Sequence, residues 1–328
     1  MADINDPPPS EIETELAELR EQLDNNVPDK ALDHNLLIAT WNIRGFGRIT
    51  KKWRASNSDS PKRDLHALRC IAEIVSRFDV VAIQEVKQNL QGLRHMLKWL
   101  GPNWGLVLTD VTKGAKGNSE RMAYVFDTRK VQMSGLACEL VLPAEQLANA
   151  NISSDALDKQ FARTPYAVSF KSGNKTFILV TLHVLFGDRS AQRVPELKAI
   201  AEWLSEWARN LKSFDQNFIV LGDFNIDRKD DALYQAFTST GLKVPDDLTS
   251  VPRSIFAKTN NPNLEKYYDQ IAWFTGSRGE PALSLRYRRG GHFDFTRAAM
   301  RSRNFTKQQL SWRMSDHFPL WGEFLTRD

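Results

Sequence analysis

Cysteine is scarce in this 328-residue sequence, which contains only Cys70 and Cys138. Two thiols without the spacing of a metal site favour buried, reduced cysteines over a disulfide framework. The sequence also lacks the run of about 18 apolar residues that a membrane-spanning helix would need. Its first residues, MADINDPPPSE, lack the basic start and apolar core of a secretory signal. We therefore expect a soluble, globular, cytoplasmic protein that is not inserted in a membrane.

Acidic residues are concentrated at the start of the chain and sparse near its end. Residues 1–30 carry nine acidic and two basic side chains, so the formal net charge of +4 leaves +11 on the remainder. Between Leu285 and Arg313, eight basic residues accompany the single acid Asp294. A basic body suits nucleic acid or an anionic membrane surface as a partner, although many ordinary enzymes are also basic.

The acidic start predicts a short amphipathic helix behind a proline-rich tip. Ser10-x-x-Glu13 has the pattern of a capping box. One apolar stripe follows it, formed by Ile12, Leu16, Leu19 and Leu23. The stripe suits packing on the helix's own domain, but self-association or docking to a partner stays open. We place this extension at residues 1–34 and the main domain at residues 35–328.

Short apolar runs in the main domain alternate with longer patterns of helical spacing. Leu36–Thr40 and Phe218–Leu221 have the character of buried strands, and Asp64–Phe78 and Ser190–Leu211 that of helices. The length and the 41% hydrophobic content allow one large α/β domain or two smaller ones.

Polar residues stand where the apolar strands end. They are Asn42, Glu85, Glu120, His183, Asp223 with Asn225, Asp269, and Asp316 with His317. Each has an ordinary explanation, since Asp223 and Asn225 suit an Asx-turn, Glu85 a salt bridge, and His183 a satisfied core position. Their repetition at the edges of apolar β structure makes chance the poorer explanation.

Seven short segments, in this order, resemble the motifs of the endonuclease/exonuclease/phosphatase superfamily: WNIRG, QEV, SER, TLHV, GDFN, YDQI and SDHFP. The resemblance covers about residues 35–326, and the SER and LHV segments are similar to the deoxyribonuclease I-like branch. It implies a four-layered α/β/β/α sandwich of two packed mixed β-sheets flanked by helices. The site would lie at one end of the two sheets.

The resemblance also implies a divalent-metal site. Asn42 and Glu85 would bind the cation, with Asp316 completing or supporting the site. Oxygen ligands and a phosphate substrate favour Mg²⁺, with Mn²⁺ or Ca²⁺ as alternatives.

The acid–base groups follow from the same resemblance. His317, oriented by Asp269, would be the general acid or base. His183, paired with Glu120, would donate to the scissile phosphate. Asp223 and Asn225 would position the attacking water or stabilise the charge that develops during hydrolysis.

Substrate contacts are expected from resemblance and from charge. Lys87 resembles the position of a minor-groove arginine in deoxyribonuclease I, whereas Asn118 replaces an aromatic residue that stacks in that groove. The basic stretch that includes Arg286, Arg288 and Arg289 and the basic loop after Asn42 would form two positive walls beside the site. Aromatics able to stack on bases are interleaved in that stretch: Tyr287, Phe293, Phe295 and Phe305.

These expectations converge on a nuclease with little sequence specificity that cleaves DNA, single-stranded DNA or RNA. The alternative is a phosphatase or phospholipase C-type phosphodiesterase acting on inositol phosphates or sphingomyelin. An inactive binding module is the third class, and the full set of catalytic residue types argues against it.

Overall fold

Two β-sheets stacked face to face form the centre of the fold in the computed structural model. The structure describes residues 5–112, 119–140, 163–184, 190–210, 217–258, 265–275 and 283–326. The strands within these ranges are β1 (Asn35–Phe46), β2 (Val80–Lys87), β3 (Trp104–Leu108), β4 (Glu120–Asp127), β5 (Gln132–Glu139), β6 (Tyr166–Ser172), β7 (Lys175–His183), β8 (Phe218–Asp223), β9 (Leu242–Lys243), β10 (Asp269–Phe274), β11 (Arg286–His292) and β12 (Leu320–Leu325). The helices are α1 (Ser10–Asn26), α2 (Leu65–Val75), α3 (Gln91–Leu100), α4 (Ser190–Asn210), α5 (Ala232–Thr238), α6 (Asp246–Thr249) and α7 (Lys307–Ser311).

Both sheets are mixed. The first has the order β11-β12-β1-β2-β4-β3, in which the β1–β2 pair is parallel and the other neighbours are antiparallel. The second has the order β5-β6-β7-β8-β10-β9, with a parallel β7–β8 pair. Each parallel pair lies near the middle of its sheet, so the carboxyl ends of its strands reach the same edge.

Side chains of β1 alternate between two apolar layers. Leu36 and Ile38 join the cluster that fills the space between the sheets, whereas Leu37 and Trp41 join the cluster under α1, α2 and α3. This period of two is that of a strand buried on both faces. Helices α4 and α5 add their apolar side chains to the core of the second sheet. The four-layered α/β/β/α sandwich expected from the sequence is confirmed.

Helix α1 packs on the rest of the chain. Its stripe residues are fully buried in the cluster shared with α2: Ile12, Leu16, Leu19 and Leu23. Arg20 also reaches Glu73 of α2 at 2.8 Å. The stripe is therefore covered by the protein's own core, which leaves no apolar face of α1 for self-association. The prediction of a capping box at Ser10 and Glu13 was wrong. Helix α1 begins at Ser10, and its N-cap residue, Pro9, makes no side-chain hydrogen bond.

Both cysteines are free thiols, as the sequence predicts. Cys70 is buried and Cys138 is partly buried. In the part of the chain that the structure describes, no helix combines the length and apolar character needed to cross a membrane. The boundary between residues 1–34 and 35–328 stays a prediction.

The strand register brings polar residues to one end of both sheets. In the second sheet, Asp223 pairs with His183 at the end of β7 and with Asp269 at the start of β10. In the first sheet, Asn42 pairs with Gln84, which precedes Glu85 near the end of β2. Because the sheets are stacked, these two groups of side chains face each other across the same edge.

Gly222 permits the close approach of β7 and β8 at this edge. Its φ is +142°, and a Cβ atom there would lie 2.1 Å from the backbone oxygen of Leu182. A larger residue would push the strands apart. The glycine of the GDFN segment is thus required by the packing that places Asp223.

Candidate active site

Asn42 of β1 and Glu85 of β2 meet near the carboxyl ends of these two strands. The Asn42 Nδ2 atom donates to Glu85 Oε1 at 3.2 Å, and the Gly45 N–H donates to Glu85 Oε2 at 2.8 Å. Glu85 has a φ of 59°, which is uncommon for a residue other than glycine, and the β1–β2 register shifts beyond Asn42. A local irregularity of this kind re-aims a side chain. It holds the Glu85 carboxylate against Asn42.

These two side chains fit a hard divalent cation. Asn42 Oδ1 is buried and has no hydrogen-bond partner among the described residues, although nearly all buried polar atoms have one. Burial disfavours the charged form of Glu85, but nearby His183 and the Gly45 N–H outweigh it, and the pKa of Glu85 falls to about 2. An ionised carboxylate and a free amide oxygen therefore lie together, and both are ligands that Mg²⁺ accepts.

Asp223 lies between the remaining polar groups. Its Oδ2 atom accepts a hydrogen bond from Asn42 Nδ2 at 2.9 Å and lies 3.7 Å and 3.9 Å from the Nε2 atoms of His183 and His317. Burial raises the pKa of Asp223 to about 7. A carboxyl group that titrates near neutral pH can exchange a proton with a bound reactant.

The Asx-turn considered for Asp223 and Asn225 is also present. Asp223 Oδ1 accepts from the Asn225 N–H at 2.9 Å, and Asn225 has a φ of 49°. The Asn225 Nδ2 atom donates to the backbone oxygen of Val184 at 2.6 Å. The Asx-turn is therefore part of the site, because its hydrogen bond fixes the orientation of the Asp223 carboxylate.

His317 forms a short hydrogen-bonded pair with Asp269. The His317 Nδ1 and Asp269 Oδ2 atoms are 2.6 Å apart, and both side chains are buried. Burial is the largest single effect and would lower the pKa of His317. The charge and hydrogen bond of Asp269, with the charges of Asp223 and Asp316, together outweigh burial and raise this pKa well above 6.5. The Trp41 Nε1–H also donates to the His317 backbone oxygen at 2.9 Å. His317 is thus held as a cation whose Nε2 atom faces Asp223.

His183 is held in a different charge state. Its Nδ1 atom lies 3.5 Å from Glu120 Oε2, but Glu120 has two closer partners, Lys87 Nζ at 2.6 Å and Arg163 Nε at 2.8 Å. Burial, reinforced by the charge of Arg163, lowers the pKa of His183 to about 3. His183 is therefore neutral at physiological pH and can offer one N–H as a hydrogen-bond donor.

Asp316 lies at the margin of the site. Its side chain is 30% exposed and its Oδ2 atom lies 3.7 Å from Arg44 Nη1. Ligand-type atoms of Asp223, Asp269 and His317 also lie within 4.8 Å of one another, but a protonated His317 ring has no free lone pair for a metal ion. The expected metal set of Asn42, Glu85 and Asp316 stays a prediction.

The prediction that Arg286, Arg288 and Arg289 flank the site was wrong. β11 runs antiparallel to β12, so Arg286 pairs with Leu325, which in turn pairs with Asn35 at the start of β1. The eight residues from Asn35 to Asn42 span roughly 23 Å of strand, which separates these arginines from the end of the sheets where Asn42 lies.

Contacts within the protein account for much of this basic, aromatic stretch. The guanidinium groups of Arg288 and Arg289 pair with the buried carboxylate of Glu323 at 3.3 Å and 2.8 Å. Phe293 and Phe295 are buried, so neither can stack on a base. Asn118 lies outside the described residues.

Several residues that sequence reasoning missed organise the site. Arg163 is buried beside Glu120, and Ser315 Oγ donates to the Asn42 backbone oxygen at 2.5 Å. Buried Arg63 donates to backbone oxygens on both flanks of the site, those of Arg44, Gly45, Arg313 and Met314. The only sequence signal for Arg63 was a basic loop, which is more often solvated.

The fold and the grouped strand-end residues define a known class. The endonuclease/exonuclease/phosphatase family model matches residues 39–317, and the chain belongs to this family.

Two proteins similar in sequence to this chain are deoxyribonucleases. A deoxyribonuclease of Thioalkalivibrio sp. (strain K90mix) is 28% identical over 61% of this chain and 48% of its own length, so the match spans about half of that relative. Deoxyribonuclease gamma of Rattus norvegicus is 24% identical over 87% of this chain and 83% of its own length. Among solved structures, a family member from Bacteroides thetaiotaomicron has a TM-score of 0.57 and 20% identity, covering 89% of this chain and 98% of that one. The last likeness concerns the fold.

Proposed function

We propose that this protein is a divalent-metal-dependent phosphodiesterase that hydrolyses nucleic acid, with DNA as its expected substrate. The observation that carries the proposal is the meeting of Asn42 with Glu85, and of the His317–Asp269 pair with Asp223, at one edge of the two sheets. Charge stabilisation and proton transfer, the two requirements of phosphodiester hydrolysis, are both available there.

Asn42 and Glu85 are the residues proposed to hold the metal, with Asp316 in support. A bound Mg²⁺ would neutralise phosphate charge and stabilise the charge that develops on the oxygens during hydrolysis. The buried, unpartnered Asn42 oxygen and the ionised Glu85 carboxylate support this assignment.

Three side chains are proposed to handle protons and charge at the phosphate. Asp223, with a pKa of about 7, accepts a proton from the attacking water. The His317 cation donates from Nε2 to the leaving oxygen, and Asp269 keeps Nδ1 occupied. Neutral His183 donates a hydrogen bond to a non-bridging phosphate oxygen.

Nucleic acid is favoured over a small phosphoester by two observations. The relatives named above are deoxyribonucleases. The chain beyond residue 30 is also strongly basic, which suits a polyanion.

Glu85→Gln tests the proposal. The variant removes a ligand charge while keeping the side-chain shape, so Mg²⁺ or Mn²⁺ affinity measured by calorimetry should fall at least tenfold, and nuclease activity should fall with it. Glu202→Gln, at an exposed position of α4, is the matched control. The substrates are plasmid DNA, single-stranded DNA, RNA, inositol phosphates and sphingomyelin. Full turnover of the wild type in excess chelator would refute metal dependence, and rapid cleavage of a small substrate without nucleic-acid cleavage would refute the substrate class.

A further inference from the structure

Two exposed aromatic side chains lie beside the catalytic Asp316 and His317. Among the described residues, the exposed large hydrophobic side chains are Leu32, Met133, Phe256 and Trp312. Trp312 precedes Asp316 by four residues, and Phe256 follows a short segment that pairs with His317. Single exposed hydrophobic residues are normal on a protein surface, so the informative observation is that two aromatic rings lie beside the same candidate site.

Trp312 is presented outward by a fixed turn. It follows α7, whose N-cap Thr306 forms a capping box with Gln309. Ser311 before it and Arg313 and Met314 after it are buried, whereas Trp312 is 51% exposed. The backbone on both sides is anchored in the core, so the indole is held in place at the surface.

Arg44 joins this indole to the catalytic edge. The Arg44 guanidinium carbon lies 3.6 Å from the centre of the Trp312 ring, and its Nη1 atom donates to Ser311 Oγ at 2.9 Å. Arg44 follows Asn42 by two residues and also faces Asp316. Because one face of the indole lies against the guanidinium, the exposed surface comes largely from the other face and the edges.

Phe256 is anchored to the same catalytic segment. The Ser254 Oγ atom and the Ile255 N–H both donate to the backbone oxygen of Asp316, at 2.9 Å and 3.0 Å. Ser254 and Ile255 are buried, whereas Phe256 is 42% exposed. A second aromatic ring therefore lies at the surface within two residues of the strand contact with His317.

We infer that Trp312, stacked on Arg44, is a nucleobase-stacking platform, with Phe256 as a second stacking residue, and that the enzyme prefers strands with unpaired bases. This inference rests on the proposed function. A base within a duplex has both faces covered by its neighbours, whereas an unpaired base exposes a π-face that an indole can cover. Aromatic platforms beside a cationic group are how proteins bind single strands without reading sequence.

The chemistry of this surface favours a nucleic acid over a lipid membrane. Interfacial binding requires a continuous apolar face. The two other exposed large hydrophobic residues lie elsewhere, since Leu32 precedes the start of β1 and Met133 belongs to β5, an outer strand of the second sheet. The guanidinium under the indole adds a positive charge that suits a nucleotide.

Trp312→Ala and Phe256→Ala test the inference, with KM and kcat measured on a single-stranded oligothymidylate, the same strand with abasic residues, and a duplex. Loss of a stacked base typically weakens binding about 5- to 150-fold, so KM on the oligothymidylate should rise by a factor in this range for Trp312→Ala. KM on the abasic strand and the duplex should change less than about twofold. Trp312→Phe should recover most of the loss. Leu32→Ala, at an exposed hydrophobic site remote from this edge of the sheets, should have no effect.

Other outcomes would overturn the inference in distinguishable ways. Equal KM changes on the normal and abasic strands, or an unchanged KM in Trp312→Ala, would refute stacking while leaving the nuclease intact. A selective loss of activity on sphingomyelin or phosphoinositide vesicles would assign the surface to a membrane. A wild-type enzyme that cleaves no nucleic acid would refute the proposed function itself, and the stacking platform with it.

Discussion

Replacing Asp269 with asparagine removes the charge that orients His317 and leaves the shape of the side chain unchanged. Asp269 Oδ2 lies 2.6 Å from His317 Nδ1, and Asp269 is fully buried, so water cannot replace the lost carboxylate. Loss of an orienting carboxylate or of a general acid or base lowers kcat by about 10²- to 10⁴-fold. We expect Asp269→Asn to fall in this range with little change in KM.

The same variant changes the protonation of His317. Asp269 holds the pKa of His317 well above 6.5 against the effect of burial, so this pKa should fall in the variant. Because the folded-state pKa is raised, the pair stabilises the fold fully below about pH 6.5 and loses this contribution as pH rises through the folded-state value. The Tm difference between the wild type and the variant should therefore shrink at high pH.

The change in kcat is measured by steady-state kinetics on a labelled oligonucleotide. The change in the pKa of His317 is measured by an NMR titration of the imidazole signals. Asp231→Asn is a suitable control, because Asp231 is the N-cap of α5 and asparagine caps a helix equally well. Its kcat should equal that of the wild type. If Asp269→Asn lowers the pKa of His317 but keeps kcat within threefold, the pair has no catalytic role.

Two further predictions concern regions away from the site. Replacing Arg288 and Arg289 with alanine should leave KM for nucleic acid within about twofold, because both lie at the opposite end of the first sheet. A tenfold rise of KM in steady-state kinetics on labelled DNA would show that the substrate extends along the sheet. Leu19→Ala in α1 should destabilise the fold by about 2–5 kcal/mol. With an unfolding entropy of about 0.7 kcal/mol/K for a chain of this length, Tm should fall by about 3–7 °C in calorimetry. An unchanged Tm, or a lost kcat in the folded variant, would contradict the purely structural role of α1.

The grouping at the catalytic edge could be anticipated because its signals are local. Asp223 closely follows the apolar run of β8, and Asn42 and His183 likewise follow the apolar runs of β1 and β7. Parallel neighbours carry such strand-end residues to one edge, and register then fixes which residues face each other. The fold class could be predicted for the same reason.

Long-range pairing could not be predicted in the same way. Arg286–Arg289 precede Asp316 by only 27 to 30 residues, yet strand direction places them at the other end of the sheet. Arg163 gains its role from a contact with Glu120, 43 residues away along the chain, and no repeated spacing marks it. The left-handed backbone of Glu85 likewise arises from a register shift between strands that sequence periodicity does not reveal.

The contacts of Arg63 bear on how the protein folds while it is being synthesised. Its guanidinium joins the last residues of β1 to the segment just before His317. The strand that follows, β12, lies between β11 and β1. Chains are synthesised from the amino terminus, so Asn42 emerges from the ribosome long before His317. A nascent chain therefore holds an open sheet and an incomplete acid–base set until His317 and β12 have been synthesised. For a phosphodiesterase of the kind proposed, hydrolytic activity begins only after this segment has joined the sheet.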